Sequence, residues 1–138
     1  SILKQKKQFE LKYHLIVIKI KLMIMETNCG CVFLNKNFNT KNLSILKPII
    51  IIEKYDIGEQ ISKGRFKGEI AKEGCLIING DLNYIIAFLN SNKSILKYLI
   101  NIDLTIKYDN DCNFTLSKEH LLFFSELKHD LNITCFQA

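Results

Sequence analysis

The chain has no tryptophan, one proline, six glycines and three histidines in 138 residues. With proline and glycine this scarce, no stretch has the composition of a flexible tether, which argues against two linked domains. The length suits one domain, which buries roughly two-thirds of the surface its unfolded chain exposes and can hold a core without staples. Long hydrophobic runs are missing too. The best candidate, "LIVIKIKLMIM", is broken by Lys19 and Lys21, falls far short of the ~20 residues needed to span a bilayer, and precedes no small-residue cleavage pattern. Dense cysteine spacing is likewise absent. Cys29, Cys31, Cys75, Cys112 and Cys135 form an odd, scattered set, so free thiols in a reducing, cytoplasmic compartment are expected.

What is present in excess is isoleucine, lysine and asparagine, a composition typical of AT-rich coding. Lys4, Lys6, Lys7, Lys12, Lys19 and Lys21 against Glu10 alone already equal the +5 net charge of the whole chain, so everything from Met23 onward is neutral. A nucleic-acid binder of this size spreads its basic residues over one folded face among aromatics or glycines. Here they crowd one end, and neither a nucleic-acid nor a membrane partner is expected. Residues 1–22 are therefore read as a basic extension or an added edge strand, and residues 23–138 as a single domain.

Periodicity organises the rest. From Leu11 to Met25, Ile16, Ile18, Ile20, Leu22 and Ile24 alternate with Lys19, Lys21 and Met23, the two-residue repeat of a strand. "CGCVFL" predicts a strand and "FNTKNLSILK" a short helix capped by Asn39 or Thr40. "PIIIIEKYDI" predicts a strand begun by Pro48, where a missing N–H is tolerable. "GEQISKGRFKGEIAKEG" predicts a hairpin or exposed loop before the buried strand "CLIING". Leu82, Ile85, Ile86 and Leu89 recur at helical spacing behind the N-cap Asp81, and "NSNKS" interrupts the pattern before Leu96, Leu99 and Ile100 resume it, as in a kinked helix or two helices. "DLTIKYD" is a half-buried strand. Ser117 caps a last helix with Leu121, Phe124 and Leu127 as its apolar stripe and a Leu116–Leu121 staple; Leu131, Ile133 and Cys135 line the final strand.

These elements predict an α+β fold: one domain with a mainly antiparallel sheet and two or three helices on one face. "CVFLNKNFNTKNLSILKPIIIIEKY" and "TIKYDNDCNFTLSKEHLLFFSELKHDLNITCF" both read strand, Asn-Phe lead-in, short helix, strand. That echo would make two ferredoxin-like halves, although chance in an Asn- and Ile-rich sequence produces it equally well.

Candidate chemistry is sparse. Cys29-Gly30-Cys31 has the C-x-C form of a zinc or redox pair, but no second pair or nearby histidine completes four ligands, and alternate strand residues on one buried face account for it. His14, His120 and His129 are dispersed; His120 and His129 flank one helix without the i, i+4 spacing of a metal face. No residue near Cys112 and His120 would orient them as nucleophile and base. "GEQISKGRFKGE" lacks the G-x-x-x-x-G-K-[ST] pattern of a phosphate loop. Glu53, Asp56, Glu59, Asp109 and Asp111 fall at strand ends or loops, where turn-forming acids are commonly solvated and can instead complement a basic partner. No cofactor, metal or catalytic residue is expected.

From "DLNYIIAFLNSNKSILKYLI" through "LNITCFQ" the chain resembles a widespread bacterial domain family of unknown function. Its members share a paired helix, a strand, a "C-N-x-x-L-S" lead-in, a short helix ending in an "ELG"-like turn, and a last strand rich in Ile, Cys and aromatics. Cys112, Asn113, Leu116 and Ser117 carry the match, and "FNTKNLSILKP" looks like an earlier family pattern, extending it over roughly residues 29–138. The family's usual tryptophan is missing and residues 1–22 have no counterpart. Small single domains of this type also look like immunity proteins of bacterial polymorphic-toxin or contact-dependent growth inhibition systems. That resemblance implies a cognate toxin as partner, bound through surface fit over ~800 Å² per side, and no enzyme activity. A non-enzymatic ligand-binding or regulatory domain is the alternative, recognisable by an apolar pocket with convergent polar groups.

Overall fold

The structure is a computed structural model that describes the backbone of residues 1–23 and 26–138 and the side chains of residues 1–12 and 27–138. In chain order the elements are α1 (Ile2–Met23), β1 (Glu26–Asn35), β2 (Ile50–Tyr55), β3 (Gly74–Gly80), α2 (Leu82–Ser91), a 3-10 helix (Lys93–Tyr98), β4 (Leu99–Tyr108), α3 (Lys118–Leu127) and β5 (Asn132–Gln137). The strands form one sheet in the order β2-β3-β1-β4-β5. Its first three pairings are antiparallel, and β4 with β5 is parallel. This is the mostly antiparallel α+β architecture that the periodicities predict.

The core lies on one side of the sheet. Cys29, Cys31 and Phe33 of β1, Leu76 and Ile78 of β3, and Ile102, Leu104 and Ile106 of β4 are buried at alternate positions, as a two-residue period requires. Ile85, Phe88 and Leu89 of α2 and Phe124 of α3 share that cluster. Phe33 stacks near Phe38, with ring centroids 5.9 Å apart, and meets Phe88 edge-on at 6.2 Å. Such aromatic contacts add about 0.5–1.5 kcal/mol each beyond the area they bury. Gly74 fits this packing because a Cβ there would drive into the Phe38 carbonyl.

Caps fix the helix starts. Asp81 accepts from the Asn83 N–H at 3.0 Å, and Ser117 Oγ accepts from the His120 N–H at 3.1 Å while His120 Nδ1 accepts from the Ser117 N–H at 3.4 Å. The second arrangement is a capping box with histidine in the usual Glu/Gln place. Between α2 and the 3-10 helix, buried Asn92 donates to the Phe88 and Ser44 carbonyls and accepts from the Ser44 N–H. The predicted break in the helix is thus a bolt between α2 and the β1–β2 connection.

Four expectations are corrected. Residues 11–23 belong to a helix, not an edge strand: "ILKQKKQFELK" is rich in good helix formers, and once nucleated a helix propagates into β-branched residues at a few tenths of a kcal/mol each. The alternating stripe from Ile16 to Ile24, with His14, lies outside the described side chains. Residues 38–47 form turns and irregular chain where a helix was expected, because Asn35 and Asn39 side chains accept from the Asn37 and Lys41 N–H groups and compete with helical hydrogen bonding. Without that helix, and with β1 and β2 separated by β3, the chain does not divide into two similar halves. Finally, Leu121 is 54% exposed and Ile133 49%. Phe124, with half-buried Phe123 and Leu127, forms the inward side of α3, and β5 is an edge.

Candidate functional site

The segment between β2 and β3 is built as a small lobe. Gly58 N–H donates to the Ala71 carbonyl and Ala71 N–H to that of Glu59; Ile61 N–H and Gly68 N–H complete the ladder with Glu69 and Ile61. Gln60 bridges Ile70 in antiparallel fashion. The chain returns through Gly64 and Gly68 at φ +86° and +91°, backbone that a side chain would strain. The predicted exposed hairpin is therefore present, with an arrangement its charge-rich sequence does not advertise. Ile61 and Ala71 turn inward and are buried, whereas Ile57, Phe66 and Ile70 are each more than half exposed.

Where the lobe meets the sheet it encloses an open cleft of about 690 Å³, with Leu34, Tyr55 and Ile61 among its walls and Phe66 and Ile70 at its side, and with Glu69, Lys72 and Glu73 around it. Tyr55 stands opposite Cys75 in the β2–β3 register. Desolvation first, and the hydrogen bond with Cys75 second, push the phenol up to about 12. Burial also raises Cys75, though the Tyr55 hydrogen bond works against the rise. The cleft is thus apolar in its depth and charged at its rim.

The five loop acids do not form one patch. Glu53 sits on β2 close to Gly64 of the lobe, and Glu59 is exposed at the lobe's base. Asp56 accepts from the Thr40 N–H at 2.7 Å, which commits it to holding the β1–β2 connection. Asp109 and Asp111 follow β4 at the other end of the sheet, because β4 starts beside Phe33 and ends beyond Glu26. Nine strand steps put them roughly 30 Å from the lobe. The signal for this surface in the sequence is the recurrence of Ile57, Ile61, Phe66 and Ile70 in a loop rich in glycines and charges.

The remaining candidates resolve into structure. Cys29 and Cys31 are fully buried; the hydrogen bond between them, then burial, holds the Cys31 thiol far above its ordinary range. His120 Nε2 lies 3.1 Å from Asn83 Oδ1, so with Nδ1 accepting from Ser117 the ring ties α3 to α2. Cys112 lies near Cys135, and His120 is engaged with Ser117 and Asn83. His129 Nδ1 contacts the Asp130 carbonyl at 2.9 Å. Among the described residues, no three His, Cys, Asp or Glu side chains are grouped to hold a metal, and no helix is long and apolar enough to cross a membrane. Comparison with protein-family models, curated proteins and solved structures finds no match for the chain.

Proposed function

We propose that this protein is an immunity-type binder that neutralises a cognate bacterial toxin domain by covering its active site or substrate-binding surface, with the 56–73 lobe as the contact. The supporting observation is the pairing of exposed Phe66 and Ile70 with exposed Glu69, Lys72 and Glu73 around one cleft. Apolar anchors ringed by charge are the anatomy of protein interfaces: the anchors supply affinity and the ring guides approach. Glu53 and Glu59 border the lobe without lining that cleft, and Asp109 and Asp111 lie at the other end of the sheet. The reading assigns no catalytic residue and needs no cofactor.

Co-expression with the product of the neighbouring gene tests it. The intact chain should rescue cells from that product and co-purify with it, and Phe66→Ala with Ile70→Asp should abolish both while the monomer stays folded. Absence of rescue and of binding by the intact chain would end the proposal. A second reading, a small-molecule binding domain, is favoured by the cleft volume, which falls within the ~300–1,000 Å³ of ligand pockets. It predicts that a metabolite panel raises the melting temperature and that Tyr55→Phe or Phe66→Ala removes the shift.

A further inference from the structure

Two cysteines stand apart from the core. Cys112, in the crossover from β4 to α3, and Cys135, on β5, are free and exposed, whereas Cys29, Cys31 and Cys75 are free and buried. Cys135 is in register with Ile106, which places it on the side of β5 where α3 lies, since Phe124 of α3 shares the core cluster with Leu104 and Ile106. The start of the crossover is fastened to the end of β5. Gln137 Nε2 donates to the Asp109 carbonyl at 2.9 Å and Ala138 N–H to that of Tyr108 at 2.8 Å. Three residues beyond Asp109 the chain brings the Cys112 thiol near that of Cys135.

We propose that Cys112 and Cys135 form a reversible disulfide site, closed by thiol–disulfide exchange with a low-molecular-weight disulfide. One cysteine thiolate attacks the reagent's S–S bond and expels a thiolate. The second then attacks the protein sulfur of the mixed disulfide, forming the Cys112–Cys135 bond and expelling the other thiolate. Two protein thiols are oxidised, one small disulfide is reduced to two thiols, and the two protons leave with them. The closed ring contains all of α3 and pins the edge strand β5 to its own crossover, so it restricts the unfolded chain and the fraying of this edge. The hydrogen bond to Cys135, followed by desolvation, holds Cys112 above the ordinary thiol value, which favours slow exchange at neutral pH and faster exchange as the pH rises.

The test treats the intact chain with oxidised glutathione, alkylates the remaining thiols after unfolding, and maps the products by mass spectrometry. The expected product is a monomer two hydrogens lighter, with a single 112–135 cross-link, three alkylated cysteines and a melting temperature raised by roughly 5–10 °C, all reversed by dithiothreitol. Cys112→Ser and Cys135→Ser, at exposed positions, should each stop at a glutathione adduct on the surviving surface thiol. A doubly glutathionylated wild-type monomer, a disulfide-linked dimer, or unreacted thiols at Cys112 and Cys135 would overturn the proposal.

Discussion

Strands β3 and β5 have comparably apolar sequences, "GCLIING" and "NITCFQ", and opposite fates. Four of the seven β3 residues are buried and the other three half-buried, while all six of β5 are exposed. The difference is position: β3 is hydrogen-bonded on both sides and roofed by α2, whereas β5 pairs with β4 alone. A strand's burial is therefore conferred by its neighbours, and apolar residues form core in the middle of the sheet and accessible surface at its rim. The other edge behaves likewise, with Ile50, Ile51 and Ile52 at 63%, 41% and 44% exposure. That edge follows Pro48 and carries a register shift between Ile51 and Glu53, features that discourage edge-to-edge pairing. The core belongs to the inner strands, and the exposed apolar side chains belong to the outer ones.

Substitutions on the inner strands should accordingly cost most. Gly74→Ala should be the most damaging, at about 4 kcal/mol or more, because the clash is with the Phe38 backbone and not with a movable side-chain tip. Chemical denaturation, or a failure to accumulate soluble protein, reads it. Phe88→Ala should follow at about 3–4 kcal/mol, as it empties a fully buried site beside Phe33. Asn92→Ala leaves the Phe88 and Ser44 carbonyls without their side-chain donor and should cost about 1–3 kcal/mol. Ile133→Thr on β5 should change the denaturation midpoint by less than the equivalent of about 1 kcal/mol; a loss as large as that of Phe88→Ala would show that the edge is core after all.

Local signals were the legible ones. Asp81 and Ser117 stand at the N-caps expected of them, "CLIING" and "DLTIKYD" are strands, and the exposed hairpin is in place, because each is decided within a few residues. Features settled by distant partners were not legible. Nothing near Asn92 says that its side chain will reach Ser44, and nothing in "LNITCFQ" says that the strand has no outer neighbour. Phe124 and Leu127 stand on the inward side of α3 as its periodicity predicts, and only Leu121, at the exposed first turn, departs from it. The cleft was missed because it needs the lobe folded against Leu34 and Tyr55, two residues on strands that are not sequential neighbours in the sheet. Its apolar spacing was visible; its destination was not.

The finest test of the boundary between inner and outer strands uses the Tyr55–Cys75 contact, where edge strand β2 meets β3. The phenol is raised from 10 to about 12, so the folded state prefers the neutral form. Its contribution to stability is complete below pH 10, where the phenol is protonated whether the chain is folded or not, and is lost as the pH climbs through about 12. An alkaline titration followed by phenolate absorbance should contain a component near 12 that disappears in Tyr55→Phe, and the same substitution should lower stability below pH 10 and flatten its decline across that window, so that the two proteins converge above it. If the late component persists in Tyr55→Phe, the hydroxyl is not held against Cys75, and the cleft is open to water at the seam between β2 and β3.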